Sequence, residues 1–179
     1  MTMRQPLPQI WLISDQRNDS VLDQALARLP RGSGIIFRHY HLPDADRFAR
    51  FRSVLRQAGI YGHMAVWAGD ASRARMLGAA GTYGPPRPRT SGLIHMATVH
   101  NLAEIGQANR TGANAALLSP VYPTRSHPEA KPLGPVRFSL LARYCQMPVI
   151  ALGGMTAHRA GHVSAFGWAA IDGHVLNET

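Results

Sequence analysis

Short apolar runs alternate along the chain with segments whose apolar positions recur at helical spacing. Residues 9–14, 34–37, 64–67, 92–97, 115–121, 147–152 and 168–171 read as strands, and Thr82 and Tyr83 form a very short eighth one. Between them lie predicted helices. Residues 20–29 read as a helix with Ser20 as N-cap and Asp23 in the first turn. Residues 44–58 form an amphipathic helix, with Phe48, Phe51, Leu55 and Ala58 on one face, arginines on the other and Gly59 as its stop. Further helices are predicted over 70–80, 102–110 (Asn101 and Glu104 making a capping-box start), 136–145 and 157–165.

The strand runs are apolar throughout, as in strands covered on both faces, and strand and helix alternate without a long polar linker. That pattern predicts a parallel sheet with right-handed crossovers. Eight strand candidates point to a shortened (β/α)8 barrel forming one domain over residues 1–179, with an open doubly wound sheet as the alternative. The fourth helix is missing from the pattern, because Gly84-Pro85-Pro86-Arg87-Pro88-Arg89 suits neither helix nor central strand. The eighth helix is expected to be reduced or absent, since the sequence stops at Thr179. No GxGxxG pattern follows the first strand, which counts against a nicotinamide enzyme.

Composition narrows the picture. The formal net charge is +9, from eighteen arginines and the single lysine Lys131. The arginines are scattered rather than clustered with aromatics, so a solvated basic surface is expected over nucleic-acid binding. No apolar run reaches membrane-spanning length, and residues 1–8 lack a signal-peptide core, so a cytoplasmic protein is expected. The one cysteine, Cys145, allows no internal disulfide and reads as a small buried side chain in an apolar helix.

In a parallel barrel, chemistry sits at the C-terminal strand ends. These ends carry Asp15, Arg38, Gly69 and Asp70, Thr98 and His100, the loop Thr124-Arg125-Ser126-His127, Gly153-Gly154, and Ile171-Asp172-Gly173. The glycine pair lets backbone approach an anion, Arg38 offers a planar fork, and Thr98, Thr124 and Ser126 offer hydroxyl donors. Arg38, His100 and His127 are the candidate catalytic groups, with His100 or His127 as general base. His39 and His41 make a His-x-His pair on one face, directed outward if Arg38 points in, but zinc needs a third ligand and none is evident in the sequence.

These motifs together resemble the thiamine phosphate synthase/TenI family of (β/α)8 barrels. The resemblance rests on Ile10-Trp11-Leu12-Ile13-Ser14-Asp15, Arg38, Thr98-Val99-His100, the loop from Ser119 to His127 and Ala151-Leu152-Gly153-Gly154. It implies an enzyme of thiamine biosynthesis that couples a pyrimidine methyl pyrophosphate to a thiazole phosphate, or a tautomerase relative acting on a thiazole carboxylate phosphate. It further implies a phosphate site formed by Arg38, Thr98, Thr124, Arg125, Ser126, His127, Gly153, Gly154, Ile171, Asp172 and Gly173. Partners are then a phosphorylated thiazole or pyrimidine small molecule, with a homodimer left open and neither membrane nor nucleic acid expected.

The sequence departs from the family in specific places. Magnesium is the family's expected cofactor, yet its Asn-Asp after strand three falls on Ala68 and Gly69, with Asp70 one residue late. Its Gln-Glu-Asp segment after strand four falls on Pro85-Pro86-Arg87-Pro88. Ile36 and Tyr40 replace the Gln and Lys flanking Arg38, His127 aligns with a loop lysine, and Pro120 stands where the tautomerases have a histidine. Asp172 aligns with a phosphate-binding serine, and a carboxylate ~4 Å from a phosphate costs about 4 kcal/mol per charge pair at an effective dielectric of about 20. The expectation is therefore a divergent member without magnesium ligands, either a weakened synthase or a non-catalytic or regulatory binder of a phosphorylated thiazole- or thiamine-like ligand. A basic nucleic-acid-binding protein is the second alternative.

Overall fold

Strands that are apolar on both faces close into a barrel here. The computed structural model describes residues 6–126 and 128–172. The strands are β1 (Ile10–Ile13), β2 (Gly34–Phe37), β3 (Met64–Ala68), β4 (Gly81–Gly84), β5 (Ile94–Val99), β6 (Ala115–Leu118), β7 (Val149–Leu152) and β8 (Gly167–Ala170). They pair in sequence order, all parallel, and β8 returns to β1 with Trp11 opposite Ala169. Closure excludes the open-sheet alternative. Helices α1 (Leu22–Arg28), α2 (Asp44–Tyr61), α3 (Ala71–Leu77), α4 (Leu102–Thr111), α5 (Gly134–Ala142) and α6 (Ala157–Ala160) lie outside.

Alternation along each strand sorts the core into layers. Trp11, Ile13, Ile36, Val66, Met96, Leu117, Ile150 and Ala169 fill the barrel. Outside it, Leu12, Ile35, Phe37 and Trp67 pack against α1, α2 and α3, while Val99, Leu118 and Ala151 pack with Ile105 of α4 and Phe138 of α5. A Cβ on Gly34 would collide with the Trp11 ring, so that glycine makes room for the largest interior side chain.

No helix follows β4, as the sequence led one to expect. Residues 85–93 take its place, and the outward-facing His95 of β5 serves as a polar pin. Its Nδ1 lies 2.8 Å from Thr82 Oγ1 and its Nε2 3.0 Å from the Pro85 carbonyl oxygen. Burial pushes the His95 pKa down, favouring the neutral ring. The expected state of an eighth helix concerns residues 173–179, outside the described residues.

Several element ends differ from expectation. Ser20 is not an N-cap: a 3-10 turn over Gln16–Val21 precedes α1, begun by Asp15 and closed reciprocally by Asn18, whose side chain accepts the Asp15 N–H at 2.9 Å. That earlier capping box wins over Ser20. Gly59 stays inside α2, which runs to Tyr61, because Gly62 at φ 71° supplies the left-handed cap. Strand β6 stops at Leu118, before Pro120, which has no N–H to give the ladder. Helix α6 ends at Ala160, and α5 ends at Ala142, leaving Cys145 beyond it and half-buried, its thiol pKa raised by burial.

Candidate functional site

At the C-terminal strand ends lies a cleft of about 1260 Å³. Arg38 enters from β2, Thr98 and His100 from the end of β5, and Thr124, Arg125 and Ser126 from the loop after β6. Gly153 and Gly154 line it after β7, Ile171 and Asp172 after β8. All the described residues of the expected phosphate site thus share one cleft. His127 and Gly173 lie outside the described residues.

The glycine pair follows from packing. Gly153 and Gly154 have φ of 94° and 61°, in the region that favours glycine. A Cβ on Gly153 would strike Pro120, and one on Gly154 would strike Tyr122 and the Pro123 carbonyl. The β6 loop lies directly on the pair, with the Tyr122 N–H donating to the Gly153 carbonyl at 3.0 Å. The two motifs are therefore one unit in space.

The electrostatic centre of the rim is Arg17, which sequence reasoning passed over. It projects from the turn after β1. Its Nε is 3.0 Å from Asp15 Oδ1, its Nη1 3.3 Å from Asp172 Oδ2, and its Nη2 donates to Ser126 Oγ at 2.9 Å. Arg38 Nη2 approaches the other Asp15 oxygen at 2.9 Å. Burial pushes the Asp15 carboxyl up, but hydrogen bonds to Arg17 and the charges of Arg17 and Arg38 outweigh it and hold its pKa below the usual range. Asp172 therefore does not present a lone charge to the cleft, because a guanidinium faces it. An Asp-x-Arg at a strand end, opposite an acidic residue just after the adjoining β8, was the available signal. Arg38 also carries a buried Nε with no hydrogen-bond partner among the described residues.

His100 is tied at the rim. Its backbone N–H donates to Glu104 Oε2 at 2.8 Å, and its Nδ1 lies 2.8 Å from the same oxygen. This contact favours a proton on Nδ1 and leaves Nε2 able to accept one.

The β3 and β4 ends do not fit magnesium, which wants oxygen ligands including a carboxylate. The Ala68 carbonyl accepts Arg47 Nη2 at 2.6 Å, and the Gly69 carbonyl accepts Arg87 Nη1 at 3.2 Å. Arg47 is buried with its guanidinium 3.9 Å from the centre of the Trp67 ring. Asp70 serves as N-cap of α3, accepting the Arg73 N–H at 2.9 Å. Fixed cations thus stand at the end of β3.

The His-x-His pair does have a third partner. His39 and His41 lie outside the barrel beside Asp19, with one ligand atom of each within 4.8 Å of the others. Asp19 comes from the 3-10 turn, a segment misread as loop and helix start, so its nearness was invisible in the sequence.

Comparison with known proteins agrees with this picture. Residues 88–173 match the family described as thiamine monophosphate synthase. A thiamine-phosphate synthase of Chlorobium luteolum is 38% identical over 81 residues, 45% of this chain and 38% of that protein. A putative thiamine-phosphate synthase 2 of Aquifex aeolicus is 39% identical over 59 residues, 33% of this chain and 32% of that one. The chain thus spans about a third of the length of these curated relatives in the matched stretch. In fold, it resembles a thiamine phosphate pyrophosphorylase from Pyrococcus furiosus with a TM-score of 0.78 at 22% identity, over 92% of this chain and 85% of that one. A KDPGal structure is similar with a TM-score of 0.60 at 14% identity, over 95% of this chain and 84% of that one. The second half of the chain is thus similar to the thiamine monophosphate synthase family, and the barrel as a whole has the fold of a thiamine phosphate pyrophosphorylase.

Proposed function

We propose that this protein is a divergent member of the thiamine phosphate synthase/TenI family and binds a phosphorylated thiazole- or thiamine-like ligand in the cleft without magnesium. One contrast supports the reading: the phosphate side of the cleft carries hydroxyl and guanidinium donors, while the β3 end carries Arg47 and Arg87 on its carbonyls. The hydroxyls of Thr98, Thr124 and Ser126 would face the phosphate oxygens, and the guanidinium of Arg38 would add charge at the same wall. Arg17 would neutralise Asp172 so that the anion meets a pair rather than a bare carboxylate. In the family's synthases, magnesium supplies positive charge to the pyrophosphate. His100 Nε2, with Nδ1 held by Glu104, would be the group that accepts a proton at the rim.

The test combines thermal unfolding with a coupling assay. Millimolar thiazole phosphate or thiamine phosphate raises Tm, a gain of about 2.7 kcal/mol at ligand about 100-fold above Kd. The two synthase substrates with magnesium give no thiamine phosphate beyond background, even at high enzyme concentration. No Tm shift would overturn the binding reading, and magnesium-dependent product would overturn the divergence.

A further inference from the structure

We infer that Asp19, His39 and His41 form a binding site for a divalent transition metal of the zinc class, outside the barrel and separate from the cleft proposed to take phosphate. Two imidazoles and a carboxylate, with water completing the shell, are a ligand set that zinc and its neighbours accept.

His39 carries the argument. Its side chain is fully buried, at 1% residue exposure, although it follows the last residue of β2 by only two positions. Its φ is 37°, the only positive value among the described non-glycine residues. Such a conformation costs about 1–3 kcal/mol and persists where the surroundings over-determine it. Here they do. The ring stacks on Phe37 at 4.5 Å between centroids, and Nδ1 is held 2.7 Å from Ser14 Oγ, which also accepts the Arg38 N–H at 2.8 Å. A ring fixed through one nitrogen by a hydrogen-bonding partner is how metal-binding histidines are oriented.

The other nitrogen, Nε2, is aimed at the cluster. It lies 2.9 Å from Asp19 Oδ1, yet buried and without a well-directed hydrogen bond. The His41 ring, exposed to solvent, stands 5.0 Å from that of His39 between centroids. A zinc shell needs ligand atoms about 3.3 Å apart. The ligand atoms lie within 4.8 Å of one another, and the exposed His41 side chain is the one that would turn to bring them to bonding distance. Arg50 also contacts Asp19 Oδ1, at 2.8 Å, and would oppose a cation. It has a second carboxylate, Asp23 Oδ1 at 2.9 Å, to which it can retain its charge pairing. A metal here would fasten the turn that carries Arg17 to the strand end that carries Arg38.

The inference is tested on untagged full-length chain freed of metal with a chelator, then titrated with zinc or cobalt alone. One equivalent of cobalt gives the visible absorption of a low-coordinate cobalt site, and zinc displaces it and raises Tm. His41→Ala changes an exposed side chain and leaves the fold intact by circular dichroism, and it weakens metal affinity at least about tenfold. Asp19→Asn does the same. His158→Ala/His162→Ala, which removes a second pair of adjacent histidine rings, leaves affinity unchanged. Absence of stoichiometric binding would overturn the inference. So would binding that survives His41→Ala or is lost with the His158 and His162 changes.

Discussion

Arg17 decides whether the rim of the cleft accepts an anion. One guanidinium touches Asp15, Asp172 and Ser126, joining the ends of β1 and β8 to the loop after β6. These ion pairs are a third exposed, so their removal changes stability by less than about 1 kcal/mol. Its effect on ligand is larger, because Asp172 would then face a phosphate unpaired. Arg17→Ala should weaken thiamine phosphate binding about tenfold or more, and adding Asp172→Asn in that background should recover part of the loss. A double-mutant cycle by calorimetry measures this coupling. Additive effects of the two changes would mean that Arg17 does not act through Asp172. The sequence showed Asp172 as a hazard, since alignment displays one position at a time, whereas its cancellation by Arg17 depends on side chains far apart in the chain.

At the scale of elements, the barrel was readable because each strand is apolar on both faces, and because helix stops and caps carry distinct chemistry. The misreadings share a cause: two local signals competed, and only geometry shows which one wins. Asp15 with Asn18 overrode Ser20, and Gly62 overrode Gly59. This ordering is measurable. A Cβ on Gly59 meets nothing within 4 Å inside a helix, so Gly59→Ala should stabilise by about 0.5–1 kcal/mol. Gly62→Ala, at φ 71°, should destabilise by about 1 kcal/mol. Chemical denaturation of the two variants distinguishes them, and the reverse order would place the end of α2 at Gly59. The same limit explains Asp19: nothing local marks a residue in a 3-10 turn as a neighbour of a strand end twenty positions later.

Across the whole molecule, charge is organised by pairing more than by patches. Arg17, Arg38, Arg50 and Arg73 each lie on a carboxylate, while Arg47 and Arg87 bind strand-end carbonyls. Six of the eighteen arginines are thus held by carboxylates or backbone carbonyls of the fold. No helix among the described residues is long and apolar enough to cross a membrane. The β6 loop and Gly153-Gly154 are assembled on one side of the cleft, while at the β3 end guanidinium groups of Arg47 and Arg87 hold the Ala68 and Gly69 carbonyls. The account thus separates phosphate binding from magnesium. Calorimetric titration with thiamine phosphate, once in excess magnesium and once in excess EDTA, tests that separation most directly. The account predicts saturable binding in both, with affinities within about threefold of each other. Binding that appears only with magnesium would contradict it.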